Sequence, residues 1–142
     1  MGMRRKGREL ALQALYQLDL SGDEPRNAVR MFWEHCEAPT DARTFGEGLV
    51  GGVLEERARI DELITASSDN WRLGRLSHVD RNILRVATYE LLCRSDVPAS
   101  VAIDEAIEIA KRFGSDESPM FVNGVLDHIA ATVGAKERQG AL

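Results

Sequence analysis

The chain has 142 residues, a net charge of −5, 44% hydrophobic and 29% charged residues, which is the make-up of an ordinary globular domain. A domain of this length buries about two-thirds of its unfolded surface, and no run approaches the roughly 18 apolar residues that a membrane span needs. Cys36 and Cys93 stand alone without a CxxC, which speaks for reduced thiols in a cytoplasmic protein and against a disulfide framework.

The first feature along the chain runs against its acidic balance: Arg4, Arg5, Lys6 and Arg8 crowd the start. This is not a secretion signal, because Glu9, Gln13, Gln17 and Asp19 interrupt the following apolar stretch and no small-residue cleavage site follows. Leu10, Ala11, Ala14, Leu15 and Leu18 recur at helical spacing, which predicts a first helix from about Arg4 to Leu20. SGDEP breaks it, and Pro25 suits the first turn of a second helix carrying Val29, Met31, Phe32 and Trp33. After Pro39 and Thr40, helical spacing runs from Asp41 to about Ser68 through Phe45, Leu49, Val53, Leu54, Ile60, Leu63 and Ile64, as one helix or two.

A loop, SSDNWRLGRLS, leads to Ser77 and Asp80, a capping pair for the next helix. In that helix Val79, Ile83, Val86 and Ala87 face one way, Arg81 and Arg85 point elsewhere, and the end falls near Asp96. Pro98 and Ser100 introduce another helix with Ile103, Ala106, Ile107, Ala110 and Phe113 as its buried stripe and Gly114 as a left-handed stop. Ser118 as N-cap and Pro119 as first helical residue open the last one, which carries Phe121, Val122, Val125, Leu126, Ile129 and Val133 and ends at Gly134. The Asn123-Gly124 pair could mark a hairpin, but helical spacing continues on both sides, so Gly124 reads as a close-packing point between helices. No segment alternates as a strand. The prediction is an all-α bundle of six or seven helices, one domain over residues 1–134, with a flexible tail over 135–142.

Catalytic and metal chemistry find little support. GEGLVG, Gly46 to Gly51, matches the dinucleotide pattern only in letters, because no strand precedes it; glycines that let helices pack closely explain it better. His35, His78 and His128 are scattered, and Cys36 diverges from His35 on a helix, so no metal site is expected. There is no GxSxG and no P-loop lysine, and Glu55, Glu56, Asp104 and Glu105 read as solvated helix surface. Neither an enzyme nor a cofactor is implied.

The basic start is the stronger signal. A short basic end can be a mere solubility tail, but this one is attached to a helix with a second stripe, Arg5, Glu9, Leu12 and Tyr16, well round from the core stripe. Leu12 and Tyr16 therefore have no obvious internal partner, and an aromatic beside basic residues suits single-stranded RNA: stacking adds roughly 1–3 kcal/mol per base and phosphates release counterions. Packing of Tyr16 against another helix would explain the same spacing.

RRKGRELALQALYQL, VDRNILRVATYELLCRSDVPASVAIDEAIEIAKRFG and SPMFVNGVLDHI together resemble the NusB family of bacterial transcription antitermination factors, over the whole chain and most strongly from Val79 to Ile129. The resemblance implies two packed helical sub-bundles, the first holding helices one to three. It also implies binding of boxA RNA, chiefly in ribosomal RNA leaders, jointly with the small-subunit ribosomal protein that acts as NusE, in a complex with RNA polymerase and other Nus factors. Carried onto this chain, it makes Arg4, Arg5, Lys6 and Arg8 the phosphate-binding residues and sets Tyr16 at the RNA and NusE surface, with Leu12 beside it. Phe121 is a further RNA candidate, with burial in its apolar helix as the other reading, and Asp80 and Glu117 stand at acidic partner-facing positions. Asn123 and Gly124 are assigned first to packing and helix-end hydrogen bonding, with contact to RNA as the lesser option. The stretch Leu91 to Arg94 and His128 depart modestly from the family, outside the residues just named. A homodimer covering the RNA surface is compatible with the resemblance. Other readings are a helical protein-interaction module, or the N-terminal part of a ribosomal RNA methyltransferase, which would need an α/β domain that this sequence does not contain.

Overall fold

The computed structural model describes residues 2–22, 24–68 and 75–134, and among these residues the chain forms seven helices and no strand. They are α1 (Met3–Leu20), α2 (Pro25–Glu34), α3 (Thr40–Glu55), α4 (Arg57–Ser67), α5 (His78–Cys93), α6 (Ala99–Phe113) and α7 (Ser118–Thr132). The expected tail over 135–142 and the middle of the loop before α5 lie outside the described residues. Several helix ends follow from single residues. Pro25 opens α2, where a missing backbone N–H costs nothing. The Ser77 hydroxyl accepts a hydrogen bond from the Asp80 backbone N–H at 3.0 Å and caps α5. Glu56 divides the long helical run into α3 and α4, and Gly134 ends the chain of helices at a φ of 74°.

Helix α1 packs along α3 and meets α2 and α5; α5 in turn packs against α3, α4, α6 and α7, and α7 against α4 and α6. This divides the bundle into α1–α3 and α4–α7, joined where α1 and α3 meet α5. Glycines allow the closest approach: a Cβ on Gly7 would lie 2.8 Å from the Ala42 carbonyl oxygen, and one on Gly46 would lie 2.9 Å from the Gly7 carbonyl oxygen and 3.1 Å from the Trp33 ring. Of the GEGLVG glycines, Gly46 thus has the packing role expected, whereas Gly48 and Gly51 face open space. The core draws on every helix, from Leu15 and Trp33 through Leu49 and Ile60 to Leu84, Ile103 and Leu126.

Several expectations need correction. Phe113, placed in the buried stripe of α6, is exposed, and Glu105, placed on solvated surface, is half-buried. Gly114 is extended (φ −93°, ψ −169°), not left-handed; it is required because a Cβ there would collide with the Ser118 side chain. The N-cap of α7 is Glu117, and the buried Ser118 hydroxyl instead accepts a hydrogen bond from the Ser115 N–H at 2.9 Å. Gly124 is exposed with nothing within 4 Å of a Cβ, and Asn123 is exposed too, so neither is a packing residue. Leu12 is 5% exposed and belongs to the core, since α5 and α6 cover that side of α1 as α3 covers the other.

Candidate nucleic-acid interface

The basic start of α1 is graded in burial, and carboxylates of the second sub-bundle answer most of it. Arg8 is buried: its guanidinium donates through Nε and Nη2 to the two oxygens of Glu90, 2.8 Å each, and lies 3.5 Å from Glu105. Arg5, half-buried, clasps Glu105 with several hydrogen bonds, including Nε at 3.0 and 3.2 Å. Arg4 is exposed and donates to Asp96 at 3.0 Å. Lys6 is exposed and has no ion pair among the described residues; it stands on the rim of a groove of about 520 Å³ between α1 and α2, with Gln13, Gln17, Met31 and Phe32.

Of the four residues expected to meet phosphate, Arg8 stands apart. Arg8 is a core ion pair whose charge is already satisfied, while Lys6 and Arg4 are presented to solvent. Arg94, in the stretch that departs from the family pattern, joins this edge of the molecule. It donates to both oxygens of Asp96 at 2.9 Å each, and with Arg4 and Arg8 it lies over the ring of Phe45, the three guanidiniums 5.0 to 5.3 Å from its centroid. The hydrogen bond from Arg94, outweighing desolvation and helped by the charge of Arg94 and the bond from Arg4, holds the Asp96 carboxyl well below the usual range.

Further along α1, Tyr16 is exposed and meets His78 edge-on, with centroids 6.0 Å apart. Tyr16, Gln13, Gln17, Val79 and the exposed Phe113 line a hollow of about 320 Å³ with Leu12 in its floor. Leu12 thus sits beneath this surface, and Tyr16 and Phe113 stand on it. Asp80 follows Val79 at the start of α5, and its Oδ1 is buried without a hydrogen bond among the described residues.

One charged cluster escaped the sequence reading. Asp19, at the end of α1, accepts hydrogen bonds from Asn82 at 2.9 Å and Arg85 at 3.3 Å and lies 3.4 to 3.9 Å from His78, Arg81 and Arg57. Arg85 is buried and also clasps Asp61 on α4 at 2.9 and 3.1 Å. Burial of Asp19 opposes its charge, but the bond from Asn82 and the charge of Arg85 outweigh it and lower its pKa. The cluster ties α1, α4 and α5 together just below Tyr16.

Phe121 and Glu117 are placed apart from these residues, on α7. Phe121 is half-buried and lines a hollow of about 390 Å³ with Ser67, Met120, Gly124 and His128. Glu117 is exposed and accepts from the Ser115 hydroxyl at 3.3 Å. Among the described residues no group of His, Cys, Asp and Glu is arranged to hold a metal ion, and no helix is long and apolar enough to cross a membrane.

The sequence profile of the NusB family matches residues 5–131. The transcription antitermination protein NusB of Geobacter sulfurreducens is 52% identical over 134 residues, covering 94% of this chain and 97% of that protein. Among solved structures, NusB of T. maritima aligns with a TM-score of 0.82 at 40% identity over 95% of each chain. A crystal structure of the antitermination factors NusB and NusE in complex with dsRNA aligns with a TM-score of 0.81 at 26% identity, over 92% of this chain and 97% of the matched one.

Proposed function

This chain belongs to the NusB family of transcription antitermination proteins, and from that premise we propose that it is a non-enzymatic, cytoplasmic RNA-binding adaptor. It holds boxA-type RNA of ribosomal RNA leaders together with the small-subunit ribosomal protein acting as NusE, and delivers both to the polymerase complex with other Nus factors. The observation that carries this reading is the surface of α1: solvent-facing Arg4 and Lys6 at one end, exposed Tyr16 with Phe113 at the other. Lys6 and Tyr16 are separated by about 15 Å of helix axis, so an RNA strand and a partner protein bound at the two ends would touch each other.

The division of labour follows from the chemistry. Lys6 and Arg4 offer charge to phosphates and carry little sequence information, so selection of one RNA needs base contacts or the partner. The hollow below Tyr16 and Phe113 offers apolar area with an aromatic rim, the make-up of a protein-binding patch. Asp80, half-buried at the start of α5 next to Val79 of this hollow, is the acidic residue we assign to the partner contact. Phe121 and Glu117 form a separate, secondary RNA or partner contact on α7. Support also comes from the related NusB–NusE pair having been crystallised with dsRNA.

The test is transcription from a template carrying a boxA leader upstream of a terminator, with polymerase, the other Nus factors, and this protein and the ribosomal partner added singly or together. Read-through that rises only when both are present supports the adaptor reading; read-through unaffected by this protein contradicts it.

A further inference from the structure

We infer that Arg94 and Arg4 form a phosphate subsite which the Asp96 carboxylate fills in the free protein, so that RNA binds there by exchanging a phosphate for that carboxylate. The inference rests on the RNA-binding reading above and names a further residue, Arg94, and an internal competitor, Asp96, that set its strength.

Three observations converge on this site. Asp96 is gripped from two sides, by Arg94 through Nε and Nη2 at 2.9 Å each and by Arg4 at 3.0 Å. Two guanidiniums closing on one oxyanion is the arrangement that recognises phosphate oxygens. Second, both guanidiniums are held against one aromatic face, Arg4 at 5.0 Å and Arg94 at 5.1 Å from the Phe45 centroid, so the pair stays assembled when its anion changes. Arg8 completes the cluster at the ring but is locked to buried Glu90 and stays in place.

Third, the anion now present is the one that can leave. Asp96 lies between α5 and α6, and its side chain is 48% exposed, against 1% for Glu90 and 16% for Glu105. An exposed pair of this kind is held weakly, whereas Arg8 would have to abandon buried Glu90, and Arg5 the half-buried Glu105, to reach a phosphate. Because Asp96 keeps its charge throughout the physiological pH range, the exchange responds to phosphate and salt and not to pH. Lys6, close by on α1 and without an ion pair among the described residues, extends the same basic edge.

The experiment compares wild type, Asp96→Asn, Arg94→Ala and a charge-matched control, Glu62→Gln on the exposed side of α4, for binding a short labelled boxA-like RNA with the ribosomal partner present. Asp96→Asn is expected to bind about two- to five-fold more tightly than wild type, the value of an exposed ion pair removed from competition. Arg94→Ala is expected to bind more weakly and to flatten the plot of log affinity against log salt by about 0.7, while Glu62→Gln matches wild type. Asp96→Asn binding no more tightly than Glu62→Gln overturns the inference. A second arm measures the rise in Tm that inorganic phosphate gives each variant. If wild type binds no RNA, the functional reading fails, and the subsite stands only if phosphate stabilises Asp96→Asn more than wild type and Arg94→Ala less; equal shifts sink it.

Discussion

Replacing Arg8 by Met tests the division between structural and RNA-facing cations. The Arg8 and Glu90 side chains are 4% and 1% exposed and share two 2.8 Å hydrogen bonds. Glu90 has no other ion pair among the described residues, so Arg8→Met strands a carboxylate in the core between α1, α5 and α6. Removing one member of such a pair costs about 3–5 kcal/mol, a large part of the roughly 5–15 kcal/mol that holds a domain together. Urea denaturation at neutral pH should therefore show a much lower midpoint with an unchanged slope. Adding Glu90→Leu should restore most of the loss, because a buried ion pair replaced by apolar groups of similar volume is often neutral. At a temperature where Arg8→Met is folded, its RNA affinity should match wild type, whereas Lys6→Ala should bind more weakly. A loss of stability below about 1 kcal/mol, or a double variant no more stable than the single one, would refute the buried-pair argument.

Three further outcomes follow from the same geometry. Gly7→Ala should destabilise by about 1–3 kcal/mol through overpacking against Ala42 and Phe45, while Gly124→Ala, with open space around it, should gain about 0.5–1 kcal/mol in thermal or urea melts. Asp19 has a lowered pKa in the fold, so the stability it contributes is present above its unfolded value of about 3.9 and is lost as pH falls through the lower folded value. The stability gap between wild type and Asp19→Asn should accordingly be widest near neutrality and shrink in acid, as read from denaturation midpoints across pH. Tyr16→Ala, at an exposed position, should leave Tm within a few degrees of wild type but weaken capture of the ribosomal partner by at least several-fold in calorimetric titration.

The helices were legible because their ends carry chemistry that a sequence displays: Pro25, Ser77 and Gly134 stand where spacing and local hydrogen bonding put them. The polar interior was not. Arg8, Glu90, Asn82 and Arg85 are buried on partners 24 to 82 positions away, and periodicity scores such residues as surface. The same blindness explains Leu12: one helix covered on two sides shows two apolar stripes, and spacing alone does not tell a second core face from a free one. Tyr16, on that second stripe, stands exposed at a hollow it shares with Val79 and with Phe113 at the end of α6. Phe45 and Arg94 carried no signal of their role, since the ring belongs to α3, the cation to the end of α5, and the residues they gather to α1 and the loop before α6.

Presentation of RNA and a partner protein to each other by α1 is read most directly by fluorescence anisotropy of a labelled boxA-like RNA and a scrambled control, titrated with this protein alone and with the ribosomal partner at two salt concentrations. The protein alone should bind weakly, with salt sensitivity and poor selectivity, and the added partner should give tighter, boxA-selective binding, with Lys6→Ala and Tyr16→Ala each reducing the joint affinity. Equal binding of both RNAs whether or not the partner is present, or no binding at all, would contradict this role of α1.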